Sequence, residues 1–131
     1  MWDRLDALIE EGRLRASIEV LHELERKDDE LHEWCRSRRE ALFVEIDEAC
    51  QLRLGHIMGT YPRLVDTVKG RSGADPFVIA LAASTLPAMI VVSEEQPGKK
   101  NSPKIPDVCL AEGIRCIGLA DLIEAEDWQF T

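Results

Sequence analysis

From Phe77 to Val92 the chain carries no charged side chain, and the pattern there predicts a buried helix followed by a strand. Asp75 and Pro76 read as the helix start, a carboxylate at the N-cap with proline in the first turn. Phe77 to Ala83 is apolar on every side, so this helix is expected to be buried all round rather than amphipathic. Pro87 is expected to end it. Ala88–Val92 is then a short unbroken apolar run of the kind found in a central parallel strand. Ser93, Glu94 and Glu95 follow where that strand leaves the sheet at its carboxyl end, the edge at which open α/β folds place ligands. A helix start and a strand end, each bearing carboxylate and bracketed by the most apolar part of the chain, suggest a metal site.

Elsewhere the patterning is weaker but legible. Trp2, Leu5, Leu8 and Ile9 form an apolar stripe at helical spacing, which Gly12 is placed to terminate. Leu14 to Ile18 reads as a strand, and Val20, Leu21 and Leu24 as part of a second helix. Asp28 and Asp29 break the pattern before a further helix through Leu31 and Trp34. Arg36–Glu40 reads as a polar connection. Ala41–Ile46 alternates as a strand, and residues 47–58 are helical. Gly59, Tyr61 and Pro62 punctuate, Leu64–Val68 suggests a helical turn, and Gly70–Gly73 is a loop. After the central pair come a long polar loop (residues 94–107), a short helix that Asp107 opens and Gly113 ends, a strand at Arg115–Ile117, and a last helix at residues 119–127. Helices alternating with strands predict an α/β fold: a single domain over residues 1–131, with a mostly parallel sheet between two helical layers.

Composition narrows the function classes. The 131 residues are 45% hydrophobic and 31% charged, which suits a folded globular domain. No apolar run approaches the length of a membrane span, and the acidic start M-W-D-R-L-D is unlike a signal peptide, so a cytoplasmic protein is expected. Cys35, Cys50, Cys109 and Cys116 show no C-x-x-C spacing and read as reduced thiols. Sixteen Lys and Arg against 25 Asp and Glu leave a net charge of −9. Non-specific nucleic-acid binding needs phosphate neutralisation. Any such role here therefore rests on metal ions or on local basic patches: Arg36, Arg38 and Arg39; Arg53, Arg63, Lys69 and Arg71; or Lys99, Lys100 and Lys104. The acidic surface also suits a basic protein partner.

The segments A-D-P-F-V-I-A-L-A at Ala74–Ala82 and I-V-V-S-E-E at Ile90–Glu95 resemble the second half of a PIN domain. More narrowly, K-I-P-D-V-C at Lys104–Cys109, G-I-R-C-I at Gly113–Ile117, and Glu23-Leu24 followed by D-D-E-L-H-E-W are similar to the DUF4411 family of PIN-like proteins. The likeness spans essentially the whole chain. It implies a ribonuclease that uses Mg²⁺ or Mn²⁺, often the toxin of a bacterial toxin–antitoxin pair, blocked by a basic or amphipathic antitoxin. Phosphodiester hydrolysis needs a metal-activated water and a cation against the charge that develops on phosphate. Matched position by position, Glu23, Asp75 and Glu95 are the expected metal-binding and catalytic acids. Asp107 is an outer member, and Ser93 a hydroxyl that orients a carboxylate or water.

The resemblance departs at the start. PIN domains open with a central strand bearing an aspartate in a motif of the type L-L-D-x-N, and nothing here corresponds to it. Asp3 and Asp6 lie on an amphipathic helix and do not fill that place. The expectation is a chain without its native first strand and one primary ligand, with the exposed sheet edges favouring a homodimer.

Ordinary readings stand beside each choice. Asp75 and Asp107 are good helix caps, Glu94 competes with Glu95, and Glu23 sits among Glu19, Glu25 and Glu30 on a face suited to water. His22, His32 and His56 read as single surface histidines, and Trp2, Trp34 and Trp128 as core or interface. Gly70-x-x-Gly73 is a weak phosphate-loop match. Two further functions compete with the nuclease: a catalytically inactive PIN-like remnant that binds a protein, and a nucleotide-binding α/β module.

Overall fold

The computed structural model describes residues 2–25, 30–64, 75–85, 87–98 and 103–127, and of Glu23 and Arg63 the backbone alone. In chain order the elements are α1 (Trp2–Glu10), β1 (Ala16–Ser17), α2 (Ile18–Leu24), α3 (Glu30–Arg36), α4 (Arg39–Leu42), β2 (Phe43–Val44) and α5 (Glu48–Thr60). A 3-10 turn at Pro62–Leu64 precedes α6 (Asp75–Ser84), β3 (Val91–Val92), α7 (Ile105–Glu112), β4 (Cys116–Ile117) and α8 (Leu119–Ala125). The fold is mixed α/β with mainly helix and short parallel strands, in accord with the expected class.

Helix ends follow the local chemistry of the sequence. Gly12 and Gly113 adopt φ values of +73° and +71°. Each closes a Schellman motif, with Arg13 N–H on the Leu8 carbonyl at 2.9 Å and Ile114 N–H on the Cys109 carbonyl at 2.8 Å. Asp47 caps α5 by accepting the Cys50 N–H at 2.8 Å. α6 stops at Ser84, three residues before Pro87, as expected of a helix that a proline closes. Hydroxyls take up carbonyls of its last turn: Ser84 donates to Leu81 O and Thr85 to Ala82 O, both at 2.9 Å. Of Arg36–Glu40, expected as a polar connection, Arg36 ends α3, Ser37 and Arg38 form a turn, and Arg39 and Glu40 open α4. Residues 65–74 lie outside the described residues, and with them most of the Leu64–Val68 turn, the Gly70–Gly73 loop, Lys69 and Arg71.

The four expected strands are present but short, and they form two sheets rather than one. β1 pairs with β2 in parallel, Ala16 opposite Phe43, and β3 pairs with β4, Val91 opposite Cys116. No strand among the described residues joins the pairs, so a single central sheet between two helical layers is not formed by them. The core divides in the same way. One cluster gathers Ile57, Leu64, Ile79, Val91, Val108 and Cys109 from α5 to α7. The other gathers Ile9, Ile18, Leu21, Cys35, Leu42 and Phe43 around β1 and β2. α6 links them. It packs extensively on α5 and touches both β1 and β3. None of its residues is exposed, as the all-apolar pattern predicted. Burying a side chain such as Ile79 contributes roughly 1.5–3 kcal/mol relative to leaving it in water.

Candidate functional site

The expected acids are placed by three different elements. Asp75 is the first residue of α6, half-buried, with its Oδ2 out of contact with solvent. Glu23 lies on α2, one residue before its end, and its side chain is outside the described residues. Glu95 follows β3 and is half-buried. Ser93 accepts the Glu95 N–H on its Oγ at 3.1 Å, so the hydroxyl fixes the backbone turn that carries this glutamate. Among the described residues no three His, Cys, Asp or Glu side chains come close enough together to hold a metal ion. Asp75, Glu95 and Asp107 therefore do not make a cage by themselves.

Two of the carboxylates have structural work. Asp107 does not open α7; it is the third residue of that helix and reaches back to its start. Its Oδ2 accepts the Lys104 N–H at 2.8 Å and the Gly98 N–H at 2.6 Å, tying the loop that leaves β3 to the start of α7. These two amide donors, Lys104 foremost, hold its carboxyl below the ordinary carboxylate range. Glu94 accepts the Leu119 N–H and caps α8. Of the adjacent pair, that leaves Glu95 as the carboxylate without a capping role.

Beside Glu95 lies a thiol pair. None of the four cysteines forms a disulfide. Burial pushes the Cys109 thiol up to about 12, with the neighbouring Cys116 adding to the shift. Burial also raises Cys116, opposed by its hydrogen bond with Cys109 and reinforced by the charge of Glu95. Thiols held protonated are poor nucleophiles, so the pair reads as packing between α7 and β4.

Two constellations had no clear signal in the sequence. Glu112 on α7 accepts the Tyr61 hydroxyl at 2.5 Å and meets His56 Nε2 at 2.8 Å, tying the end of α5 to α7. These residues are more than fifty positions apart, and no short-range pattern announces them. The second joins α1 to the chain around α3. Arg38 pairs with Asp6, Nη2 to Oδ2 at 3.0 Å, while its guanidinium stacks 4.1 Å from the centre of the Trp34 ring. The hydrogen bond from Arg38 holds the Asp6 carboxyl below its usual range. Trp34 in turn meets Trp2, with ring centres 4.9 Å apart. The run W-C-R-S-R-R was legible as a basic patch, but its position beside Trp2 was not. His32, expected at the surface, is buried. Its position follows from α3 turning that face onto the second cluster, where Cys35, three residues on, is also buried.

Among the described residues no helix is long and apolar enough to cross a membrane. No curated protein and no solved structure matches the chain. Residues 1–130 match the family described as "Domain of unknown function (DUF4411)", and with all but its last residue covered the chain belongs to that family.

Proposed function

We propose that the chain is a PIN-like, divalent-cation-dependent ribonuclease, the toxin of a bacterial toxin–antitoxin pair, acting in the cytoplasm. Asp75 carries the reading. A carboxylate taken partly out of water is retained where amide donors or a cation compensate it. Here it stands at the start of the most apolar helix, matching the acid that opens the buried helix of PIN domains. Mg²⁺ is characteristically held through one or two carboxylates, with waters and substrate phosphate completing its shell. Such an open arrangement asks for fewer protein ligands than a closed cage. Asp75 and Glu95, with Glu23, are the residues that would hold Mg²⁺ or Mn²⁺. When bound, the cation supplies an activated water and charge against the phosphate. Ser93 positions Glu95.

Asn caps helices as well as Asp, so Asp75→Asn should leave the fold intact while removing the charge. Calorimetry with Mn²⁺ is expected to show binding heat for the wild type that the folded variant loses. A wild type that gives no heat removes the nuclease reading.

One observation favours the alternative, a catalytically inactive module that binds protein. Val91 and Ser93 direct their N–H groups to β4, each at 2.9 Å, so the intervening Val92 turns its N–H and C=O the other way. Among the described residues β3 pairs with β4 alone. Beside it lies a cleft of about 380 Å³ between the two clusters, walled by Leu14, Met89, Ile90 and Ile117. Such an edge accepts an extended segment from a second copy or from a basic antitoxin. Val92→Pro deletes the outward N–H and spares both bonds to β4. Scattering at high concentration is expected to show self-association in the wild type that this variant loses. A monomer at every concentration contradicts pairing between copies.

A further inference from the structure

The R-S-R-R run, Arg36 to Arg39, forms one wall of a cleft of about 800 Å³ against α1, where Asp6, Ile9 and Glu10 face it. Charge alone does not make this an anion site. Arg38 is matched by Asp6, Arg36 pairs with Glu33 at 2.7 Å, and Arg39 shares the cleft lining with Glu10 and Glu40. What distinguishes the cleft is its border. Arg38 lies over the Trp34 ring at 4.1 Å, Trp34 meets Trp2 at 4.9 Å with the rings tilted by 53°, and Trp2 at the end of this column is 52% exposed. Trp2 and Asp6 are four residues apart on α1, so both stand on the face that meets the cleft. An exposed indole held in place by a second ring, next to a guanidinium run, has the parts of a single-strand binding platform: a surface for a base and donors for its phosphates.

We propose that this cleft is a subsite for single-stranded RNA, with a base on the exposed face of Trp2 and phosphates on Arg36 and Arg39. It rests on the RNA reading above but uses none of the acids assigned there to the metal. The Arg36–Glu33 pair is exposed on both sides, and a pair of that kind is worth little, so a phosphate displaces Glu33 at small cost. Arg38 is committed to Asp6 and stiffens the column. With a nearly balanced charge in the cleft, stacking supplies most of the affinity and the salt dependence is shallow.

The test measures binding of short labelled oligoribonucleotides to the full chain by fluorescence anisotropy in EDTA, with an abasic strand of equal length and inorganic phosphate as further arms. Oligo(C) and oligo(U) are both expected to bind more tightly than the abasic strand or phosphate. Trp2→Ala should weaken oligo(C) by at least about fivefold, with Trp2→Phe restoring most of it. Arg36→Ala with Arg39→Ala should lower the salt slope by up to about 1.4. All these side chains are exposed, and unchanged melting of the variants separates lost binding from lost fold. An abasic strand that binds as well as oligo(C), or a Trp2→Ala variant that binds like the wild type, overturns the proposal. Base-dependent binding in EDTA without cleavage in Mn²⁺ supports the subsite and removes the nuclease. Cleavage in Mn²⁺ that none of these variants affects does the reverse.

Discussion

Replacing Ile79 by alanine is expected to lower the unfolding free energy by about 2–5 kcal/mol, a large share of what a domain this size has to lose. Ile79 is fully enclosed on α6, the helix that packs on α5 and touches both strand pairs. Truncation removes the transfer free energy of three methyl or methylene groups and leaves a cavity that neighbours such as Ile57, Val91 and Val108 only partly close. Ile79→Val should cost about 0.5–1.5 kcal/mol, because one methylene is lost. Leu21→Ala probes the second cluster, where Leu21 is 1% exposed. Because α6 bridges the two clusters, both alanine variants are expected to shift one common transition in urea, read by circular dichroism and tryptophan fluorescence alike. Two separate transitions, each moved by one variant only, would show that the clusters unfold independently.

The single tyrosine of the chain, Tyr61, is expected to ionise at about 12 instead of its ordinary 10. Its hydroxyl donates to Glu112, and that bond exists only in the protonated form; burial and then the negative charge of Glu112 add to the shift. The direction sets the pH window. A folded-state value above the unfolded one means the contribution is complete below pH 10 and disappears as the pH rises to 12. With one tyrosine, the tyrosinate absorbance reports this residue alone. Glu112→Gln removes both the charge and the carboxylate acceptor, so the midpoint should fall back toward the ordinary value, short of it by the part due to burial. A wild-type midpoint at the ordinary value would show that the Tyr61–Glu112 bond is not made in solution.

The candidate site was partly legible, and the residues show where legibility ended. Asp75 at the start of a buried helix and Glu95 past a strand were readable because local rules dictate caps, all-apolar helices and strand ends. Asp107 was readable as a carboxylate near the start of α7. Its real task was not, because one of its donors, Gly98, comes from a loop whose course depends on where β3 ends. Glu94 is the same case: the N–H it receives belongs to Leu119, twenty-five residues on. The ribonuclease reading rests on family resemblance and Asp75, and the Mn²⁺ experiment decides it.

Periodicity, glycine and capping chemistry sufficed for the order of elements apart from α4, the burial of α6 and the stops at Gly12 and Gly113. Those outcomes depend on interactions within a few residues, and the chain carries that information along its length. The division into two strand pairs with separate cores, the Tyr61–Glu112–His56 tie, and the Trp2–Trp34–Arg38 column could not be had that way. Each depends on segments twenty-five or more residues apart meeting in one orientation. Burial and packing choose that orientation from the summed contacts of the whole chain, and no local pattern encodes it.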